Sequence, residues 1–127
     1  MKKMDTLDAY FKLFDEARYS ETSFDALVAL FSENITFVLN GHAYHGKEAW
    51  VNFVKKVFEM NEDLKHMSNG WHQKDDGSYE AKWAICGKRY ATGVYTQEGI
   101  DIAKLDKDNK ISYLENKPYD ANLFSSI

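Results

Sequence analysis

The stretch Gly99-Ile100-Asp101-Ile102-Ala103-Lys104-Leu105 has the composition of a β-strand, with β-branched residues inside it and a turn signal directly after it. Aspartate is depleted in strands, so Asp101 between two isoleucines is the unusual residue. Side chains alternate along a strand, and Asp101 therefore points to the face opposite the two isoleucines. Whichever face is buried decides the role of Asp101.

Both orientations of Asp101 are open from the sequence. If Asp101 faces the interior, its carboxyl group lies against apolar walls, where a charge is costly unless it is paired or protonated. A protonated Asp101 could then donate a hydrogen bond to a ligand in a pocket. If Ile100 and Ile102 face the interior, Asp101 faces water or a lysine on a neighbouring strand, the commoner place for a charged residue.

The composition of the 127 residues predicts one domain, residues 1–127, which is large enough to bury a core. The formal net charge of −4 argues against general binding to nucleic acid or to an anionic membrane. The single cysteine, Cys86, excludes an internal disulfide and a cysteine-cluster metal site. We expect a cytoplasmic protein, because no signal peptide and no membrane span is recognisable.

Three helices are predicted in the first half of the chain, because apolar residues recur there at helical spacing. The first helix opens near Asp5 or Thr6, and its stripe is Leu7, Tyr10, Phe11 and Phe14. The second opens at Thr22-Ser23, and its stripe is Phe24, Leu27, Val28 and Phe31. A short strand over residues 35–39 and a polar loop precede the third helix, whose stripe is Trp50, Phe53, Val54, Val57 and Phe58.

From about Leu64 onwards the apolar residues alternate, which is typical of strands. Strands are predicted over His66–Lys74, over Tyr79–Ile85, from Val94 through Asp101, and over Ile111–Tyr119. Helices followed by hairpin-linked strands favour an α+β domain, with the helices on one face of a largely antiparallel sheet.

Four short motifs occur along the chain in a meaningful order: residues 30–37 (LFSENITF), residues 44–49 (YHGKEA), Gly99-Ile100-Asp101 with Asn109-Lys110-Ile111, and Tyr119-Asp120. Their order resembles that of the nuclear transport factor 2-like superfamily. The resemblance implies a cone, in which three N-terminal helices pack on a strongly curved, mostly antiparallel sheet that encloses a pocket. It also implies a homodimer formed through the sheet.

The ketosteroid isomerases, one branch of that superfamily, use a tyrosine and a protonated aspartate as hydrogen-bond donors in the pocket. By resemblance, Tyr10 and Asp101 take these two positions, which would let them stabilise an enolate oxygen. The general base of that branch corresponds to Leu39, which cannot accept a proton. Leu39 therefore argues against steroid isomerisation.

The SnoaL-like branch, which includes polyketide cyclases and relatives of scytalone dehydratase, often has a histidine after the third helix. The segments His66-Met67-Ser68-Asn69 and Asp76–Ala81 are similar to its pattern. The resemblance implies that His66 is a pocket residue and that Asp15 matches an acidic position. Histidine is suited to acid–base work near neutral pH, although a surface histidine at the start of a strand explains His66 equally well.

The predicted site has three catalytic candidates, Tyr10, His66 and Asp101. Its predicted ligand-binding wall consists of Phe37, Leu39, Trp83, Leu114 and Asn116. Arg89 could bind an anionic group of a ligand, or it could simply lie at an exposed strand end. Neither a metal nor a cofactor is expected, since His42 and His45 have no acidic partners nearby in the sequence.

Two functions follow from this site. The first is cofactor-free acid–base catalysis on a small, hydrophobic, oxygenated molecule, of the isomerase, dehydratase or cyclase type. The second is a non-catalytic ligand-binding or dimerisation module, which the missing base at Leu39 favours.

Overall fold

Three helices and six strands make up residues 3–120, the part of the chain that the computed structural model describes. The helices are α1 (Lys3–Ala17), α2 (Glu21–Ala29) and α3 (Lys47–Met60). The strands are β1 (Phe31–Leu39), β2 (His42–His45), β3 (Asn61–Gln73), β4 (Tyr79–Arg89), β5 (Gly93–Leu105) and β6 (Ile111–Pro118). No helix within these residues is both long enough and apolar enough to cross a membrane.

The six strands form one mixed sheet with the order β2-β1-β6-β5-β4-β3. β1 pairs with β6 in parallel, and the other neighbouring strands are antiparallel. β2 and β3 lie at opposite edges, so the sheet is not closed. The α+β class and the mostly antiparallel sheet are thus confirmed.

The apolar stripes of the helices face the sheet, because only there can they leave water. Leu7, Tyr10 and Phe14 of α1 are buried, and so are Trp50 and Val54 of α3. α1 packs on α2 and β3, whereas α3 packs on β1 and β3. One face of the sheet is therefore covered by helices, and the core lies between the two layers.

The second helix begins and ends earlier than predicted. Ser20 caps it, since the Ser20 hydroxyl accepts a hydrogen bond from the backbone N–H of Ser23 at 3.2 Å. The helix ends at Ala29. Phe31, which was predicted on the helical stripe, instead begins β1 with its side chain buried.

The first helix begins at Lys3, ahead of both predicted capping residues. The hydroxyl of Thr6 donates a hydrogen bond to the backbone carbonyl of Asn109 at 2.8 Å. Thr6 therefore ties α1 to the turn between β5 and β6, and Asn109 adopts a positive φ of 61° there.

The assignments of β2 and β3 also differ from the prediction. The loop predicted around His42 and His45 contains β2, which pairs with the end of β1. β3 begins at Asn61 rather than at His66, because its first residues pair with the far end of β4 at Arg89. Short polar stretches carry little periodic signal, so the pairing partner and not the local sequence defines these strands.

Two glycines make room for aromatic rings on the covered face of the sheet. In the β4–β5 register Gly99 is opposite Trp83, and Gly87 is opposite Tyr95. A Cβ atom on Gly99 would lie 2.4 Å from Cζ2 of Trp83, and one on Gly87 would lie 2.7 Å from Cε1 of Tyr95. The two rings can therefore lie over the neighbouring strand only because both positions lack a side chain.

Candidate functional site

Strand β5 turns Asp101 towards the interior. The Asp101 side chain is 1% exposed, and Ala103 on the same face is fully buried. Ile100 and Ile102 are half-buried on the opposite face. Of the two orientations that the sequence left open, the structure has the one that places a carboxyl group among apolar walls.

Both neighbouring strands donate a hydrogen bond to Asp101. Nε1 of Trp83 on β4 donates to Oδ1 at 3.0 Å, and Nδ2 of Asn116 on β6 donates to the same oxygen at 2.9 Å. Asn116 lies directly opposite Asp101 in the β5–β6 register. Because both bonds go to Oδ1, the other oxygen, Oδ2, is the natural position for a proton.

Burial raises the pKa of the Asp101 carboxyl from 3.8 to about 8, and the hydrogen bonds from Trp83 and Asn116 only partly oppose this rise. At neutral pH the group is therefore mostly uncharged. A neutral carboxyl can donate a hydrogen bond, which a carboxylate cannot do.

Tyr10 on α1 is buried within a cluster of aromatic rings, 4% exposed. Its ring centroid lies 5.0 Å from that of Phe11 and 5.9 Å from that of Phe31. Burial raises the pKa of the Tyr10 hydroxyl well above its ordinary value, and the charges of Asp101 and Asp15 add to the rise. Tyr10 thus keeps its proton and is a second neutral donor.

His66 on β3 is held by Asp15 on α1. Nδ1 of His66 lies 2.7 Å from Oδ1 of Asp15, and the backbone N–H of His66 donates to Oδ2 of Asp15 at 2.8 Å. The rings of Phe11 and Phe14 lie 5.3 Å and 5.0 Å from the imidazole. Since Asp15 occupies Nδ1, the other ring nitrogen, Nε2, is left to act on a ligand.

A small cavity of about 50 Å³ brings these groups together. Its polar lining residues are Tyr10, Asn61, His66, Trp83, Arg89, Tyr95, Asp101 and Asn116. Its apolar lining residues are Phe14, Phe53, Val57, Leu64 and Ile85. At about 10–15 Å³ for each water the volume suits a few water molecules, whereas pockets for drug-sized ligands measure roughly 300–1,000 Å³.

The predicted residues fall into two groups. Tyr10, His66, Asp101, Trp83 and Asn116 line the cavity. The other three predicted wall residues, all described by the structure, are buried outside the cavity lining: Phe37, Leu39 and Leu114.

Phe37 takes part in the core rather than in the cavity wall. Its ring packs on those of Trp50, Phe53 and Tyr44, with centroid distances of 5.7, 5.9 and 5.2 Å. A strand pattern shows which face is inward, but the packing of α3 on that face decides which inward residues meet a cavity.

Asn61 and Tyr95 are cavity residues that the sequence prediction missed. The hydroxyl of Tyr95 donates to Oδ1 of Asn61 at 2.8 Å. The sequence prediction placed Asn61 in no strand, so the direction of its side chain could not be predicted. Tyr95 could have been found, because it lies an even number of residues from Asp101 on one strand and therefore shares its face.

Among residues 3–120, no group of three or more histidine, cysteine, aspartate or glutamate side chains is arranged to hold a metal ion. His42 and His45 are exposed on β2. His72 is exposed on β3, with Nε2 lying 3.5 Å from a carboxylate oxygen of Glu80.

The match to a protein family spans most of the chain. Residues 7–114 match the model of the SnoaL-like domain. The chain belongs to the SnoaL-like family. No curated protein matches the sequence of this SnoaL-like chain.

Solved structures agree with this assignment. An NTF2-like protein of unknown function from Exiguobacterium sp. 255-15 is 52% identical, with a TM-score of 0.87 over 91% of this chain and 98% of that one. A candidate polyketide cyclase from Pseudomonas putida is 20% identical, with a TM-score of 0.76 over 98% and 96% of the two chains. Below 25% identity such a likeness shows the fold and not the activity.

The epoxide hydrolase/cyclase-like enzyme SalBIII also has this fold, and it functions in pyran ring formation in the polyether salinomycin. It is 16% identical to the SnoaL-like chain, with a TM-score of 0.75 over 91% of this chain and 89% of that one. The fold is therefore shared with an enzyme of cyclisation chemistry.

Replacing Asp101 by asparagine should change how stability depends on pH. Between pH 3.8 and about 8 the carboxyl is ionised in the unfolded chain but protonated in the folded one. Wild-type stability should therefore fall as pH rises through this window, by about 1.4 kcal/mol per pH unit from this group. Asp101→Asn cannot ionise, so from pH 5 to pH 7.5 it should gain about 3 kcal/mol over wild type in urea unfolding.

Asp75→Asn, in the exposed β3–β4 turn, is the matched control and should follow the wild-type profile. Parallel profiles for wild type and Asp101→Asn would contradict a protonated Asp101 in the folded protein.

Removing the Asp15 carboxylate should change the tautomer of His66. In wild type the neutral imidazole should carry its proton on Nδ1, because that nitrogen faces Asp15. In Asp15→Ala the proton should move to Nε2, and ¹⁵N chemical shifts of the ring nitrogens distinguish the two forms. His72, exposed on the same strand, serves as an internal control. An Nε2–H tautomer in wild type would show that Asp15 does not set the state of His66.

Proposed function

We propose that the protein binds a small hydrophobic molecule carrying a carbonyl or hydroxyl oxygen, and that it catalyses proton transfer on this molecule without a cofactor. One observation carries the proposal: three proton-bearing side chains from three separate elements, Tyr10 of α1, His66 of β3 and Asp101 of β5, line the same small cavity. Separate elements have no structural need to converge their polar groups in a core.

Asp101 and Tyr10 would act on the oxygen of the ligand. Both are uncharged donors at neutral pH, for the reasons of burial given above. Hydrogen bonds from fixed donors in a site shielded from bulk water stabilise negative charge that develops on a carbonyl oxygen. Trp83 and Asn116 hold the Asp101 carboxyl in place, so the donor needs no reorganisation when the charge appears.

His66 would move the proton. Nε2 takes a proton from the carbon next to the carbonyl, the C–H bond breaks, and its electron pair goes through the carbonyl group to the oxygen to form an enolate. The imidazolium that results lies 2.7 Å from the Asp15 carboxylate, which stabilises its positive charge. Returning the proton to a different carbon of the enolate gives isomerisation. In elimination the enolate electrons expel a β-hydroxyl group, which takes the proton from His66 and leaves as water. In ring closure the enolate carbon attacks a second carbonyl carbon of the substrate, and the oxygen of that carbonyl takes the proton.

Asp15 also offers a route by which the proton could exchange with water. Besides contacting His66, Asp15 lines an open surface groove together with Lys12, Glu16 and Lys65. A proton on His66 would thus be one hydrogen bond away from a group in contact with solvent. Leu39 supplies no carboxylate on β1, so His66 is the base that the cavity offers.

A non-catalytic role is the second candidate, and the small size of the cavity favours it. A volume of about 50 Å³ does not hold a ligand larger than a few atoms. Binding would require side chains at the rim, such as the half-buried Phe53, to swing outwards. If they do not move, the chain is a folded module whose interior is filled by its own aromatic residues.

Ligand binding and proton transfer can be measured separately. Among planar enones, phenols and polyketide-like aromatics, we expect a compound that raises the melting temperature of wild type by several degrees, since saturation at a hundredfold the Kd adds about 2.7 kcal/mol. The shift should disappear in Asp101→Ala. In D₂O the wild type should also exchange the α-proton of the bound ketone for deuterium, and His66→Gln should not.

His72→Gln is the matched control for exchange, because this histidine lies on the same strand but is exposed. A rise in melting temperature without deuterium incorporation would support a non-catalytic binding module and contradict the catalytic proposal. If no compound shifts the melting temperature, the binding proposal fails as well.

We also propose that a second copy of the chain covers the outer face of the sheet. This face carries the half-buried Ile100 and Ile102, and two large side chains that are strongly exposed, Met67 at 66% and Tyr119 at 57%. Their burial would remove apolar surface from water.

Sedimentation equilibrium should therefore give a dimer for wild type and a monomer for Ile100→Lys, which places a charge on this face. Lys107→Glu, in the exposed β5–β6 turn, should remain dimeric. A monomeric wild type at micromolar concentration would contradict the dimer.

A further inference from the structure

Asn116 carries a buried hydrogen-bond acceptor that the proposed proton transfer does not use. The side chain of Asn116 lines the cavity, and its nitrogen, Nδ2, donates to Oδ1 of Asp101 at 2.9 Å. Its oxygen, Oδ1, is buried, and no described residue donates a hydrogen bond to it. An unpaired buried acceptor lowers stability, so an oxygen of this kind calls for a partner from outside the chain.

The hydrogen bonds of Asp101 decide which atom of the Asn116 amide is the nitrogen. Nε1 of Trp83 donates to Oδ1 of Asp101 at 3.0 Å, so this carboxyl oxygen is an acceptor. An Asn116 amide turned by half a rotation would place its oxygen against that acceptor, and the two oxygens would repel each other. The unpaired atom is therefore the amide oxygen.

Asp101 has the complementary need. It is mostly protonated at neutral pH because burial raises its pKa to about 8, and both hydrogen bonds that it accepts go to Oδ1. The proton on Oδ2 needs an acceptor. Asp101 and Asn116 are directly opposite each other in the β5–β6 register. A donor without an acceptor and an acceptor without a donor thus lie on neighbouring residues.

A water molecule matches both groups in chemistry and in size. It can accept one hydrogen bond and donate another, and bridging water is nearly as favourable as a direct hydrogen bond. The cavity volume of about 50 Å³ suits a few water molecules, and cavities with polar partners hold water whereas apolar ones stay empty. The indole nitrogens of Trp50 and Trp71 are also buried and unpaired, but neither residue lines the cavity.

We propose that Asp101 and Asn116 form a binding site for one water molecule, which accepts a hydrogen bond from Oδ2 of Asp101 and donates one to Oδ1 of Asn116. The site exists in the resting protein, whether or not the protein is an enzyme. Only its role rests on the proposed function: the oxygen of a ligand takes the place of this water at Asp101.

A high-resolution crystal structure of wild type at pH 6, combined with neutron diffraction, tests the site directly. It should show one water oxygen within about 3 Å of both Oδ2 of Asp101 and Oδ1 of Asn116, with a deuteron on Oδ2. A direct contact between these two protein oxygens would overturn the proposal, and so would the lack of a water that bridges them.

The second test counts bound water in solution by ¹⁷O magnetic relaxation dispersion, which detects water molecules that stay in the protein far longer than at its surface. Asn116→Leu keeps nearly the same side-chain volume and removes the acceptor, so it should hold one long-lived water fewer than wild type. Asn52→Leu makes the same change at an exposed position of α3 and should keep the wild-type count. Equal counts for wild type and Asn116→Leu would overturn the site.

These results are independent of the proposed function. If the bridging water is found but no compound raises the melting temperature or incorporates deuterium, the proposed function fails and the water site stands. If compounds bind and exchange deuterium but no water bridges Asp101 and Asn116, only the water site fails. The wild-type structure alone decides the proposal if Asn116→Leu does not fold.

Discussion

The burial of the Asp101 carboxyl group is the constraint on which the site depends. A carboxylate in that position would lack a cation to balance it, so the fold accommodates the group by leaving it protonated and by directing two hydrogen bonds to one of its oxygens. Gly99 is part of the same arrangement, because it makes room for the Trp83 ring whose N–H supplies one of these bonds. Burying a carboxyl group in this way lowers the free energy of unfolding, and such groups occur most often at functional sites.

Two aspartates in this protein have environments that suit opposite tasks. Asp101 is enclosed by apolar residues and presents a proton. Asp15 borders an open groove, and both of its oxygens contact His66. Core packing fixes the positions of α1, which carries Asp15, and of β5, which carries Asp101. The two carboxyl groups therefore have fixed positions in the absence of a ligand. The proposed proton transfer requires such preorganisation.

Membership of the SnoaL-like family fixes the architecture and leaves the chemistry open. The same fold is found in a cyclisation enzyme and in a protein of unknown function, and one fold can support unrelated activities. The residues of this chain narrow the choice. Leu39 occupies the position that the resemblance assigns to the carboxylate base of the steroid isomerases, and in the proposed mechanism His66 is the base instead. A catalytic role requires side chains to move and enlarge the cavity, because its volume is only about 50 Å³.

The sequence by itself determined the α+β class and the three helices, since periodicity is a local property of the chain, whereas Tyr10, His66 and Asp101 were predicted as site residues through the resemblance of the motifs to a known superfamily. Tertiary structure decided the rest. Strand chemistry left the direction of Asp101 open, because either face of β5 could be the covered one until the helices packed on it. Strand alternation also could not distinguish Phe37, which packs in the core, from Trp83, which lines the cavity. The sequence pattern also did not predict that Arg89 and Asn61 are neighbours, because the pairing of β3 with β4 depends on residues that are far apart in the chain.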